Sequence, residues 1–193
     1  MKKIILSIAI FFLVNTQSFS HVEHYAKYNY LEYELFRNNN SIGYHKYDFK
    51  REGENLSILS EVSFKITKLG VDLYKYFAKS EENYENGEFK SYSSKTKQNK
   101  KDRFVNIKLD NSNKHLNIEG SSYTGEANKE FIVGTWWNHE IVKAKAQISG
   151  ISGRIIYQTV TFIGKETIKI GDKSYKTLRF NFKSSDETLP DSK

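Results

Sequence analysis

Leu56-Ser57-Ile58-Leu59-Ser60-Glu61-Val62-Ser63-Phe64-Lys65-Ile66-Thr67-Lys68 is the stretch on which the fold turns. Counted in steps of two, it puts Leu56, Ile58, Val62, Phe64 and Ile66 on one side, interrupted only by Ser60. Apart from Leu59, the other side is polar. A β-strand sends successive side chains to opposite faces, so the pattern is that of a ribbon with one apolar and one wet flank. A helix would scatter the same residues around its axis.

The alternation continues in both directions. Upstream, 28–36 sets Leu31, Tyr33 and Leu35 against Glu32 and Glu34, and in 44–51 His45, Tyr47 and Phe49 share a side. Downstream, strands are expected over 71–83, 89–96, 104–109, 116–119, 155–163, 166–170 and 175–183. Polar turns separate them. The sharpest is Asn86-Gly87, since Asn and Gly tolerate the positive φ that a type I′ hairpin requires at both central positions. One segment breaks the rhythm: Asn138 is a candidate N-cap, and Ile141, Val142 and Ala146 follow at helical spacing, so a short helix is expected near 138–148. About nine long strands with tight turns and one helix describe an all-β, mainly antiparallel fold. The expected form is a single curled sheet or a partly open β-barrel.

The first 20 residues stand apart. Lys2 and Lys3 precede an apolar run over 4–14, and Ser18-Phe19-Ser20 offers small residues at the two positions a signal peptidase reads. The apolar run is about half the roughly 20 residues a membrane-spanning helix needs. The reading is a signal peptide cleaved between Ser20 and His21, giving a periplasmic or extracellular protein that is not integral to the membrane. With no cysteine in the chain, a lipid-anchored lipoprotein and disulfide staples are both ruled out. Residues 21–193 change little in composition and contain no linker or repeat, which suggests a single β-rich domain.

The block Phe36-Arg37-Asn38-Asn39-Asn40-Ser41-Ile42-Gly43-Tyr44-His45 resembles the opening of a family of uncharacterised exported bacterial β-rich proteins, a domain of unknown function. Further likeness lies in Thr135-Trp136-Trp137-Asn138, Gly153, Val160-Thr161-Phe162-Ile163-Gly164-Lys165-Glu166-Thr167-Ile168 and Leu178-Arg179-Phe180. The resemblance covers most of the chain after the leader. It implies a fold and an address outside the cytoplasm, but no activity; a wider likeness is to the open barrels of periplasmic lipoprotein carriers. Such proteins typically continue through a Trp-Tyr-Asp turn and a final hairpin. This sequence stops at Thr188-Leu189-Pro190-Asp191-Ser192-Lys193, so it reads as lacking its last strands, with 175–183 left as an open edge.

Signatures of chemistry are sparse. The sequence has no Gly-x-Ser-x-Gly elbow, no His-Glu-x-x-His and no phosphate loop; Gly120-Ser121-Ser122-Tyr123-Thr124-Gly125 lacks the Lys and the helix a phosphate loop needs. His21 with its free α-amine, together with His24, has donors that suit Cu(II), against the plainer reading of a polar chain end. No metal or cofactor is assigned. His139 beside Glu140 could pair as acid and base, but no nucleophile stands at a fixed spacing from them.

Two groups of side chains are the candidate sites. Trp136, Trp137, His45, Tyr47 and Phe64 are candidates to line a mouth for a small apolar or lipidic ligand. Lys95, Lys97, Lys100, Lys101 and Arg103 form a basic run that reads as a connecting loop and could meet an anionic surface. The chain carries 30 basic and 23 acidic residues; without Lys2 and Lys3 the excess is +5. Export argues against nucleic acid as the partner. The expected function is a non-enzymatic envelope binding module; the alternatives are an envelope interaction protein docking an anionic surface and, behind both, an envelope-polymer hydrolase.

Overall fold

The computed structural model describes residues 25–112 and 114–186, with side chains through Ser184. The leader at 1–20, the cleavage point, His21, His24 and the tail at 188–193 lie outside the described residues. Eight strands follow one another as β1 (Tyr30–Arg37), β2 (Asn40–Glu52), β3 (Asn55–Lys68), β4 (Val71–Glu85), β5 (Glu88–Gln98), β6 (Lys101–Leu109), β7 (His115–Gly120) and β8 (Thr124–Asn128). Each pairs antiparallel with the next, giving an eight-stranded meander that curls without closing. A second sheet contains β9 (Ile132–Val133), β10 (Ala146–Ile148), β11 (Ile155–Ile170) and β12 (Lys173–Asp186), in the order β12-β11-β10-β9. Its β9–β10 pair is parallel.

Local chemistry explains the turns. Asn38 and Asn39 join β1 to β2 at φ 50° and 62°, and Asn86 and Gly87 join β4 to β5 at 52° and 75°. Both are the all-positive pairs that match the twist of adjoining antiparallel strands. Alternation explains the faces: along β5, Tyr92, Ser94 and Thr96 are buried while Ser93, Lys95 and Lys97 are exposed.

Two apolar clusters hold the second sheet and its connections against the inner face of the meander. The first joins Tyr92, Val105, Ile107, Leu116 and Ile118 to Val133, Ala146, Ile148 and Ile155. The second gathers Tyr47, Phe49, Leu56, Ile58 and Tyr84 around Trp137. At roughly 25 cal/mol per Å2 of apolar surface removed from water, these contacts are the main force holding the sheets together.

The all-β antiparallel class is what the structure shows; details differ from the sequence expectation. The helix expected near 138–148 is a four-residue 3₁₀ turn, His139–Val142, capped as expected by Asn138, whose side chain accepts from the Glu140 amide at 3.0 Å. The rest of that segment becomes β10, because Ala146 and Ile148 both reach full burial when they alternate in a strand beside β11. Among the described residues twelve strands replace about nine, since β8, β9 and β10 are too short to show a period, while 155–163 and 166–170 merge into one strand across an irregularity after Phe162. The expected basic loop is a hairpin: β5 runs to Gln98 and β6 begins at Lys101. Beyond its first residues the β11–β12 ribbon is exposed on both faces, with Ile163, Ile170 and Leu178 more than half exposed, and β12 is a sheet edge.

Candidate functional site

The inner face of the meander is filled at one end and hollow at the other, and strand register decides where the change occurs. Reading straight across the strands, one row is Phe49, Ile58, Glu82, Tyr92 and Ile107. The next inward row is Tyr47, Ser60, Ser80, Ser94 and Val105, and the next after it is His45, Val62, Ala78, Thr96 and Arg103. Three serines and an alanine at the centre of these rows leave space that larger side chains occupy in the row before. A cavity of about 470 Å3 results. Its walls include Phe64, Tyr74, Tyr76, Gln98, Gln147 and Trp136. No Lys, Arg, Asp or Glu lines it among the described residues, in a chain that is 27 % charged.

The two adjacent tryptophans face opposite ways. Trp137 is buried among Tyr25, Phe49 and Tyr84 at edge-on ring distances of 5.5, 5.8 and 5.9 Å. Its indole N–H donates to Glu82 Oε2 at 2.8 Å. Trp136 stands at the cavity rim, 63 % exposed, with its ring 5.8 Å from Phe182. Its φ is +66°, in the left-handed region that a bulky side chain rarely adopts and that costs on the order of 1–3 kcal/mol. The chain therefore tolerates backbone strain to turn one indole inward and leave the next at the opening.

Beneath the cavity runs a polar network. Tyr47 donates its hydroxyl proton to the Thr135 carbonyl at 2.6 Å. His45 Nε2 lies 2.9 Å from Ser60 Oγ, and His45 Nδ1 lies 3.4 Å from the Tyr47 hydroxyl. With the Tyr47 proton engaged, the consistent assignment has Nδ1–H pointing to Tyr47 and Nε2 accepting from Ser60. Burial pulls the His45 pKa down to about 4, so the ring is neutral at neutral pH. Burial also pushes Tyr47 upward and raises Tyr92 to about 12, so both remain phenols. Tyr92 and Ser94 both donate to the Gly150 carbonyl, at 3.1 and 2.6 Å. Thr96 Oγ1 is buried without a hydrogen-bond partner, and burial raises the pKa of the Tyr76 hydroxyl in the same lining, a rise that Thr96 moderates. An unsatisfied buried hydroxyl costs about 1–3 kcal/mol.

Glu82 is the functional-looking residue that the sequence reading missed. It is buried, accepts from Tyr84 on one oxygen, and accepts from Trp137 and, at 3.2 Å, Thr135 on the other. Desolvation outweighs these donors and raises its pKa. The signal was available: Tyr74, Tyr76, Ala78, Ser80, Glu82 and Tyr84 share one phase of β4, which places a carboxylate among inward residues.

Of the five sequence candidates for ligand contact, His45, Phe64 and Trp136 line the cavity, Tyr47 stands behind His45, and Trp137 belongs to the packed core. The basic candidates do not share a face. Lys95 and Lys97 point away from the core, Lys97 Nζ being 4.0 Å from Asp102, and Lys100 lies in the turn. Lys101 and Arg103 pair across from the inward-phase Gln98 and Thr96, and Arg103 donates to Ser122 Oγ at 3.1 Å. On the outer side, Lys65, Lys75, Lys97 and Phe77 border a groove of about 560 Å3, with Lys75 held to Asp72 at 2.9 Å. His139 Nε2 and Lys143 Nζ both approach Glu140 Oε1, at 3.2 and 3.0 Å, and neither His139 nor Glu140 lines the cavity. Among the described residues no helix is long and apolar enough to cross a membrane, and no three His, Cys, Asp or Glu side chains gather as metal ligands.

A family described as Domain of unknown function (DUF6134) matches residues 33–191, which takes in nearly all of the meander, the connection bearing both tryptophans and the whole of the second sheet. The chain belongs to the DUF6134 family. The description fixes kinship and names no activity. No curated protein and no solved structure matches the chain. The blocks that carried the sequence resemblance now have places in a DUF6134 structure. Gly43 lies where β2 runs so close to β3 that a Cβ would stand 2.0 Å from the Ser63 carbonyl oxygen, and Thr135-Trp136-Trp137 joins the cavity rim to the core.

Proposed function

We propose that this DUF6134 chain is an exported, non-enzymatic binding module that holds a small apolar or lipidic ligand on the inner face of its curled sheet. The observation that carries this reading is the cavity of about 470 Å3 with Trp136 exposed at its rim in a strained conformation. Protein interiors are close-packed, and a hollow of this size is seldom left where larger side chains could fill it. Cavities of roughly 300–1,000 Å3 with apolar walls and a few polar groups are typical of ligand sites. The exposed indole supplies apolar contact area that is left in water while the site is empty.

Native mass spectrometry of protein purified from an envelope extract tests the reading. The expected result is a co-purifying small molecule that is lost in Ser80→Phe, where the added ring fills the hollow. A wild-type protein that carries nothing, and that takes up no amphiphile or alkane when challenged, would remove the idea.

A second reading has its own observation. Lys65, Lys75 and Lys97 beside Phe77 on the outer groove suit contact with an anionic envelope surface. Charge reversal of Lys65, Lys75 and Lys97 should weaken pelleting with anionic vesicles; unchanged pelleting counts against this second role.

A further inference from the structure

The cavity lining has an internal order that says more about its occupant than its size does. Its buried floor is β5, where Ser94 and Thr96 are 6 % and 3 % exposed. The serine and threonine hydroxyls and the imidazole lie in the two rows that contain Ser60, Ser80, Ser94, His45 and Thr96, while in the rows beyond the Tyr74 hydroxyl is taken up by Gln98 Nε2 at 3.2 Å. Aromatic rings dominate toward the opening, where Phe64 packs 5.0 Å from Tyr76 and 5.8 Å from Tyr74, and Trp136 stands at the rim. A polar floor under an aromatic mouth matches a molecule with one polar end and one apolar end, inserted polar end first.

Charge complementarity sets the kind of polar end. Among the described residues the lining contains hydroxyls, side-chain amides, backbone groups and one imidazole, and no Lys, Arg, Asp or Glu. A carboxylate, phosphate or ammonium carried to this floor would lose its hydration and find no opposite charge in the lining, since Arg103, across from Thr96, stands outside the lining and donates to Ser122 Oγ; that is strongly unfavourable. Thr96 Oγ1, buried without a partner, is a donor and acceptor waiting for one uncharged polar group.

We propose that the cavity selects an uncharged amphiphile, such as a hydroxyl- or ester-bearing lipid, bound head-first with its polar group on Thr96 and its chain passing Phe64, Tyr74 and Trp136. This inference rests on the binding reading above and specifies its ligand class.

Monolauroylglycerol, dodecanoate, lauroyl lysophosphatidic acid and dodecane, titrated separately at pH 8 below their aggregation limits, provide the test. Of the two tryptophans, only Trp136 is solvent-exposed, so a blue shift of its emission reports occupancy. The neutral glyceride should bind at least roughly 100-fold tighter than either anion, because an unpaired buried ion costs several kcal/mol. Thr96→Val should weaken the glyceride about tenfold while raising the apo protein's unfolding midpoint, since it removes an orphan hydroxyl. A purely structural Thr96 would not move these two readouts in opposite directions. If the anions bind as well as the glyceride, or dodecane binds as well, the neutral-head assignment is overturned while the binding reading stands. If no probe shifts the emission, both fall.

Discussion

Trp137→Phe is the substitution whose cost follows most directly from the geometry. The indole N–H donates at 2.8 Å to a carboxyl that is itself buried, and a phenyl ring leaves Glu82 Oε2 with only the longer Thr135 contact. Loss of a hydrogen bond to such a group costs about 1–3 kcal/mol. Shrinking the ring opens a gap among Tyr25, Phe49 and Tyr84, adding about 1 kcal/mol or more. The sum is about 3 kcal/mol. Trp136→Phe, one residue away, should stay within about 0.5 kcal/mol, because its ring is 63 % exposed and donates no hydrogen bond to the core. Urea melts followed by far-UV circular dichroism, which does not depend on the tryptophans, would compare the two. Equal shifts, or a larger cost at Trp136, would refute the assignment of Trp137 to the core and Trp136 to the rim.

Glu82 and His45 give pH predictions of opposite sign. The folded Glu82 holds its proton more tightly than the unfolded chain, so its stability contribution is full below 4.5 and drains as pH rises through the raised folded value. Glu82→Gln keeps the shape and should gain on wild type steadily as pH is raised in that window; an advantage that does not grow with pH argues against a desolvated carboxyl. Burial depresses His45, so the unfolded state takes up the proton first and stability should fall as pH drops from 6.5 to about 4. His45→Gln should flatten that acid limb, and an unchanged limb in thermal melts would mean the ring is more solvated than its contacts imply. Gly43→Ala brings a Cβ to 2.0 Å from the Ser63 carbonyl oxygen and 2.6 Å from the Phe64 Cα, forcing β2 away from β3. It should cost about 1–3 kcal/mol, read as a Tm fall of at least roughly 2 °C; a neutral result would show that the two strands part easily.

The candidate site was half legible. His45, Phe64 and Trp136 emerge from alternation and aromatic content alone, and all three reach the cavity. The cavity itself does not, because it depends on Ser60, Ser80 and Ser94 lying opposite one another on three strands. Each serine in its own strand is an unremarkable interruption; the run from Leu56 to Ile66 shows Ser60 as a single break. Only pairing register aligns the three breaks into a hollow. Trp136 and Trp137 are likewise indistinguishable in sequence, and only in the folded chain, with Trp136 at a φ of +66°, does one stand at the rim and the other in the core.

The sequence by itself determined what nearest neighbours along the chain control. Period-two alternation set the strands and their inner and outer faces, and Asn-Gly chemistry set the tight turn at 86–87, since both depend on local sterics and on which flank avoids water. Tertiary structure decided everything that depends on residues distant in sequence. It drew Ala146 and Ile148 into a strand where local spacing favoured a helix, buried Glu82 against Trp137, and aligned the three serines. The physical reason is that burial and strand pairing are collective: their free energy is gained only when distant segments meet, and it is large enough to override weak local preference.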